Sequence, residues 1–173
     1  MPTNSPLFAT LRSAFDQAGW SYGEVPGREV LRAGFEAHHA RVELHAQAFP
    51  ELAAVSVVSE SSRTAAEPRR RERLAELAMR VNQTLTVGNF EVDWDAGRLI
   101  FRTTNLFPSP EGDPALIQGI VHTVVAEMDR IAPLEAIILG ADGPGLVALD
   151  IPALLRRDDL VPDIPDPLES PPR

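Results

Sequence analysis

The stretch from Gly88 to Asn105, G-N-F-E-V-D-W-D-A-G-R-L-I-F-R-T-T-N, leaves this chain little choice in how to fold. A two-residue turn needs a residue at positive φ, and Gly97 supplies one, so Ala96-Gly97 is expected to close a β-hairpin. Asp95 then faces Arg98, Trp94 faces Leu99, Val92 faces Phe101, Glu91 faces Arg102 and Phe90 faces Thr103. Strand alternation sends Phe90, Val92, Trp94, Leu99 and Phe101 to one side. Glu91, Asp93, Asp95, Arg98, Ile100 and Arg102 go to the other. Asp95–Arg98 and Glu91–Arg102 become cross-strand ion pairs, each worth roughly 0.2–1 kcal/mol. A slip of one residue would invert both faces. The apolar face needs helices to cover it, and the remainder of the chain is read as supplying them.

With 173 residues the chain can build one good core and is short for two. It has no cysteine, which removes disulfides, thiol nucleophiles and Cys-ligated zinc. All 16 basic residues are arginine. Without lysine there is no Schiff-base chemistry, no pyridoxal attachment and no phosphate-cradling Gly-Lys-Ser/Thr loop. The start M-P-T-N-S-P-L-F is not a signal peptide, and no run approaches the roughly 20 apolar residues of a membrane span. A cytoplasmic protein is expected. Net charge is −9 but unevenly placed, since residues 63–80 are net positive and both flanks are acidic. Such a chain suits a basic protein partner better than a duplex, whose binding surfaces are basic.

Along the chain, Asn4 or Ser5 caps a first helix with Pro6 in its opening turn, and Gly19 ends it. Leu7, Phe8, Leu11, Phe15 and Ala18 form its apolar side. Val30-Leu31 and Phe35 suggest a short strand. Val42, Leu44, Ala46 and Ala48 alternate with polar residues as a second, and Leu52 to Val58 makes a third beyond the break at Pro50. A helix over 36–47 is the rival reading. Pro68 opens a second helix with the stripe Leu74, Leu77, Ala78, Val81 and Leu85, and Glu76 and Arg80 pair on it. Asp113-Pro114 opens a third, which buries Leu116, Ile117, Ile120, Val121, Val124, Met128 and Ile131 and stops at Pro133. Residues 134–155 are expected as a short helix, a turn and an extended piece. From residue 156 the chain reads as a Pro-rich acidic tail that cannot order itself alone. The fold class is α+β: an antiparallel sheet of about five strands, elements in the order α-β-β-β-α-β-β-α, in a single domain over residues 1–155.

Few residues carry a chemical pattern. His38, His39 and His45 with Glu36 are metal-ligand types, but no H-E-x-x-H spacing joins them, so surface histidines are the preferred reading. His122 is read as a structural histidine at the edge of the third helix's stripe. G-A-D-G-P-G at 140–145 should lead into a helix if it held phosphate, yet Leu146 to Pro152 reads as extended, and a plain turn is preferred. Glu91, Asp93 and Asp95 share a strand face opposite Arg98 and Arg102, which favours a solvated charged face over acid/base work. Ile100 is the exception on that face and marks a contact surface. Arg69, Arg70, Arg71 and Arg73, with Arg63 and Arg80, form the basic patch; no aromatic residue lies within 63–80 to stack on bases. A solvated helix start, or a dock for the acidic tail, is preferred. There is no G-x-S-x-G elbow. No catalytic residue, cofactor or metal site is expected.

G-W-S-Y after the first helix, R-V-N-Q-T-L-T-V-G-N-F-E-V-D-W-D-A-G-R-L-I-F-R-T-T through the second helix and hairpin, and D-R-I-A-P-L ending the third helix resemble the YbjN family over about residues 5–135. The fold of that family is similar to that of class I type III secretion chaperones. The resemblance implies a non-enzymatic homodimer that binds a client protein, as a chaperone or a stress-linked regulator, with no catalytic residues to carry over. By analogy with secretion-chaperone dimers, which pair through the second helix and nearby sheet, it nominates Leu77, Val81 and Ile100 as interface residues. The expected partner is a client protein that is basic or itself binds nucleic acid. The alternative is a regulator that grips nucleic acid directly through the Arg-rich patch.

Overall fold

The alternation over residues 41–49 passes into three dimensions without exception. In the computed structural model, which describes residues 4–157, 159 and 160, Val42, Leu44, Ala46 and Ala48 are buried, while Arg41, Glu43 and His45 are exposed. That segment is β3 (Arg41–Phe49), near the middle of a six-stranded sheet. The others are β1 (Gly23–Glu24), β2 (Val30–Glu36), β4 (Ala54–Glu60), β5 (Asn89–Asp93) and β6 (Arg98–Leu106). Their order is β1-β2-β3-β4-β6-β5, every neighbouring pair antiparallel. The strand missing from the sequence reading is β1, whose two residues are too few to show a periodicity. A single turn of 3-10 helix, Pro50–Leu52, marks the break after β3.

Helices α1 (Pro6–Ala18), α2 (Pro68–Asn82) and α3 (Pro114–Gly140) pack on one side of this sheet. Ser5 caps α1, its hydroxyl accepting from Phe8 N at 3.1 Å, and Gly19 closes it. Leu7, Phe8, Leu11, Ala14 and Phe15 face inward. Leu74, Leu77, Ala78 and Val81 of α2 and Ile117, Val121, Val124, Ile131, Leu134 and Ile138 of α3 complete the core with Leu31, Leu44, Val55, Val57, Leu99 and Phe101 of the sheet. Each large side chain so buried contributes about 1.5–3 kcal/mol.

The hairpin exists, but with a different loop. Asp93 pairs with Arg98, Val92 with Leu99, Glu91 with Ile100 and Phe90 with Phe101, so Trp94-Asp95-Ala96-Gly97 is a four-residue connection. The cause is Asp93: its carboxylate accepts from Asp95 N and Ala96 N, and its carbonyl accepts from Gly97 N at 2.7 Å. Aspartate stabilises its own turn in this way, and that local gain outweighs the Asp95–Arg98 pair. The register moves by two, so each strand residue keeps its face. Trp94 does not; it leaves the strand and is 51% exposed.

Pro133 does not end α3, which runs on to Gly140. An internal proline costs a helix about 3 kcal/mol. Leu134 and Ile138 continue the buried stripe beyond it and offset that cost. Residues 146–152 are not extended either: α4 (Gly143–Ala148) and α5 (Ile151–Leu155) follow. Asp142 and Asp150 cap them, accepting from Gly145 N and Ala153 N, each with a proline two residues on. The tail expected from residue 156 falls largely on 161–173, outside the described residues. Among the described residues, no helix is long and apolar enough to cross a membrane.

Candidate functional site

Among the described residues, the helices lie on one side of the sheet and leave the other side without any. That outer face is polar at its margins, where Arg32, Glu43, His45 and Thr104 are exposed. Ile100 lies within it between Glu60 of β4 and Glu91 of β5. Arg98 pairs with Glu60 at 3.4 Å and Arg102 with Glu91 at 2.9 Å, two ion pairs whose stems screen Ile100 to 9% exposure. The Arg102 hydrogen bond holds the Glu91 carboxyl below its ordinary range, against the opposing effect of burial. Toward one end of the face, Phe49, Ala54 and Leu106 line up across β3, β4 and β6, and Leu106 is largely exposed. The arrangement offers a flat contact surface with charge of both signs.

Leu77 and Val81 are elsewhere. Both point into the chain's own core from α2, so their side chains do not reach the outer face with Ile100. The carboxylates Glu91, Asp93 and Asp95 are likewise separated: Glu91 holds Arg102, Asp93 builds the loop and Asp95 sits within that loop. His38 and His39 stack edge to face beyond the end of β2, His45 stands on the outer face, and His122 packs against Trp20.

The arginines of the basic patch are mostly engaged inside the protein. Arg71 donates to Ala65 O at 2.8 Å, Ala66 O at 2.9 Å and Trp94 O at 3.0 Å, binding α2 to the hairpin loop. Arg70 reaches Ala141 O at the end of α3, and Arg73 bonds Glu76 and Leu149 O. Arg69 makes no hydrogen bond or ion pair among the described residues and stands beside Leu146 and Val147 in a shallow groove.

A second feature lies on the helix side of the sheet. A cleft of about 270 Å³ opens between β3, the end of β4, the segment Ser61–Arg63 and the middle of α3. Glu135 is at its base, 2% exposed. Its Oε2 accepts from Ser61 Oγ at 2.8 Å and from Arg63 Nη1 at 3.3 Å, while Oε1 is buried with no partner among the described residues. Burial pushes the Glu135 carboxyl above its ordinary range, and the Ser61 hydrogen bond and the Arg63 charge only partly oppose it. Asp129, one and a half turns earlier, accepts from His39 N and Ala40 N at 2.6 and 2.9 Å and ties the β2–β3 turn to α3. Among the described residues, no group of three or more His, Cys, Asp or Glu is placed to hold a metal ion.

No sequence-family model matches this chain, and no curated protein matches it by sequence. Its structure does find a counterpart. The crystal structure of YbjN from E. coli, a candidate transcription regulator, superposes with a TM-score of 0.55 at 15% identity, covering 74% of this chain and 89% of that one.

The fold is YbjN-like.

Within this YbjN-like fold the letters that carried the resemblance have structural tasks. Asn82 of R-V-N-Q bonds the backbone of Phe90 in G-N-F, and Trp20 and Tyr22 of G-W-S-Y pack edge-on against Phe15. D-R-I-A-P-L lies inside α3 rather than at its end. Glu135, one residue past that motif, was missed for the same reason. It lies four residues after Ile131 and seven after Met128, on the buried stripe, where a carboxylate is conspicuous once the helix is known to continue.

Proposed function

We propose that this YbjN-like chain is a non-enzymatic protein-binding module, chaperone-like or regulatory, that holds a client protein as a homodimer in the cytoplasm. The observation that carries the reading is the helix-free sheet face with Ile100 between two ion pairs. The sheet edges offer less. β1 is only two residues long, and β5 is bonded at Phe90 by Asn82 of α2, while Arg71 of α2 holds Trp94 O in the loop that follows it. Short or covered edges discourage strand addition, which leaves the face as the favoured contact. The surplus of acidic residues suits a basic client, and proteins that themselves bind nucleic acid are one such class. The resemblance to a candidate transcription regulator is in keeping with a regulatory role.

Light scattering on the purified chain tests the dimer, with Ile100→Arg as the variant expected to dissociate it. A native pull-down with mass spectrometry then tests client capture. A wild-type chain that stays monomeric at micromolar concentration and retains nothing sinks the reading. Direct nucleic-acid binding through Arg69, Arg70, Arg71 and Arg73 is less favoured, because three of the four bond their own chain. Arg69→Glu is the clean probe of it, and a salt-sensitive shift of labelled strands lost in that variant would revive it.

A further inference from the structure

Three groups on the cleft wall leave one hydrogen-bonding position unused. Both local donors, Ser61 Oγ and Arg63 Nη1, go to Oε2 of Glu135, and Oε1 receives none among the described residues although it is enclosed. A buried carboxylate oxygen without a donor is costly to keep, and the cleft that Glu135 lines gives a donor a route to it once the Arg63 side chain moves aside. The walls divide by chemistry. Val42, Met128 and Ala132 supply apolar surface, while Glu60 and Ser62 stand at the exposed margin.

Two guanidinium groups border the cleft, and neither fills the position. Arg41 is held by Glu36 and Glu43 on the outer face. Arg63 divides itself between Glu135 at 3.3 Å and Ala132 O at 3.2 Å, long for charge-assisted bonds, and its side chain is 41% exposed. It covers Glu135 without sealing it.

We propose that this cleft binds an organic cation on a short alkyl arm, an alkylammonium or alkylguanidinium group, with its N–H donors on Glu135 Oε1 and its arm along Met128 and Ala132. Arg63 is the resident competitor and swings outward when the ligand enters. The cation is either a free small amine or the Lys or Arg side chain of a partner protein. The inference stands apart from the sheet-face reading, because the cleft lies on the helix side.

The test is calorimetric and amide-NMR titration of the full chain with n-butylammonium, n-butylguanidinium and N-acetyl-arginine N-methylamide. Butanol and butyrate serve as neutral and anionic controls, and Glu135→Gln and Arg63→Ala are measured beside the wild type. Expected are saturable binding of the cations with shifts at Ser61 and Arg63, a loss of about tenfold or more in Glu135→Gln, and a several-fold gain in Arg63→Ala. Binding of the free cations but not the blocked arginine assigns a small amine; binding of both assigns a partner's side chain. Equal binding by wild type and Glu135→Gln, a preference for butanol or butyrate, or no saturation by any cation overturns the proposal. Arg63→Ala keeps Glu135 in place, so its predicted gain remains decisive even if Glu135→Gln does not fold.

Discussion

The side-chain amide of Asn82 meets the backbone of Phe90 as a neighbouring strand would: Oδ1 accepts from Phe90 N at 2.7 Å and Nδ2 donates to Phe90 O at 3.0 Å. At Phe90 the edge of the hairpin is therefore satisfied by one residue at the end of α2. Asn82→Ala leaves a donor and an acceptor on β5 without these partners, at an expected cost of about 1–3 kcal/mol in urea unfolding. Faster amide exchange at Phe90 should accompany it, and an unchanged rate there would contradict the assignment.

Gly97 is irreplaceable for two reasons. Its φ is +67°, and a Cβ there would lie 2.3 Å from Ala65 O. The Ala65 N to Gly97 O bond of 2.7 Å holds the two segments together at that point. Gly97→Ala should cost about 2–4 kcal/mol, from left-handed strain plus a displaced hydrogen bond. Denaturant midpoints at unchanged m-value would verify it.

The two aromatic residues of the hairpin that differ most in burial should differ as much in energy. Phe101 is fully buried, whereas Trp94 sits in the loop with half its surface in water. Phe101→Ala is expected to cost about 3–5 kcal/mol, and Trp94→Ala less than about 1 kcal/mol. Comparable losses in equilibrium unfolding would mean that the ring of Trp94 is buried after all.

Stability should carry a pH signature from Glu135. Burial raises its carboxyl in the folded protein, so the native state holds the proton more tightly than the unfolded chain does. The group's contribution is fully present below the unfolded value and is lost as pH rises through the raised folded value. The charged or titratable groups around it are Arg63 and Glu60, His39 and Arg41 from the strand side, and Asp129 on α3. Glu135→Gln should match the wild type near pH 4 and exceed it increasingly toward pH 8. Arg63→Ala, which removes the opposing charge, should steepen the wild-type decline. A Gln-minus-wild-type difference that stays flat with pH would count against this account.

Where one local rule acts alone, the sequence is legible. The alternation of β3, a cap of α1 at Asn4 or Ser5, which the structure assigns to Ser5, and the Asp113 cap of α3 are all readable from adjacent letters. Errors arise where two rules compete. At the hairpin, Gly97 argued for a two-residue turn, and the Asp93 carboxylate imposed a longer loop. At Pro133 a helix-breaking residue met a continuing apolar stripe, and the stripe prevailed. Ending α3 there also hid Glu135, and with it the cleft. The caps at Asp142 and Asp150 repeat the aspartate-then-proline pattern of Asp113, but their helices are too short to show a period. The stripe of α2 was legible from the spacing of Leu74, Leu77, Ala78 and Val81, all buried, and it is this burial that takes Leu77 and Val81 away from the surface where analogy had placed them.

The 27 residues of α3 make a rod about 40 Å long. Along it, Gln118 bonds Ala14 O of α1, Asp129 the turn at His39 and Ala40, Ala132 and Glu135 the Arg63 segment, and Ala141 the Arg70 side chain of α2. On a ribosome this rod is made after α1, α2 and every strand of the sheet. Until it emerges, Val57 and Phe101 have no lid along the middle of their sheet, and the earlier part of the chain must wait with that strip of its greasy side bare while α1 and α2 cover other parts of it.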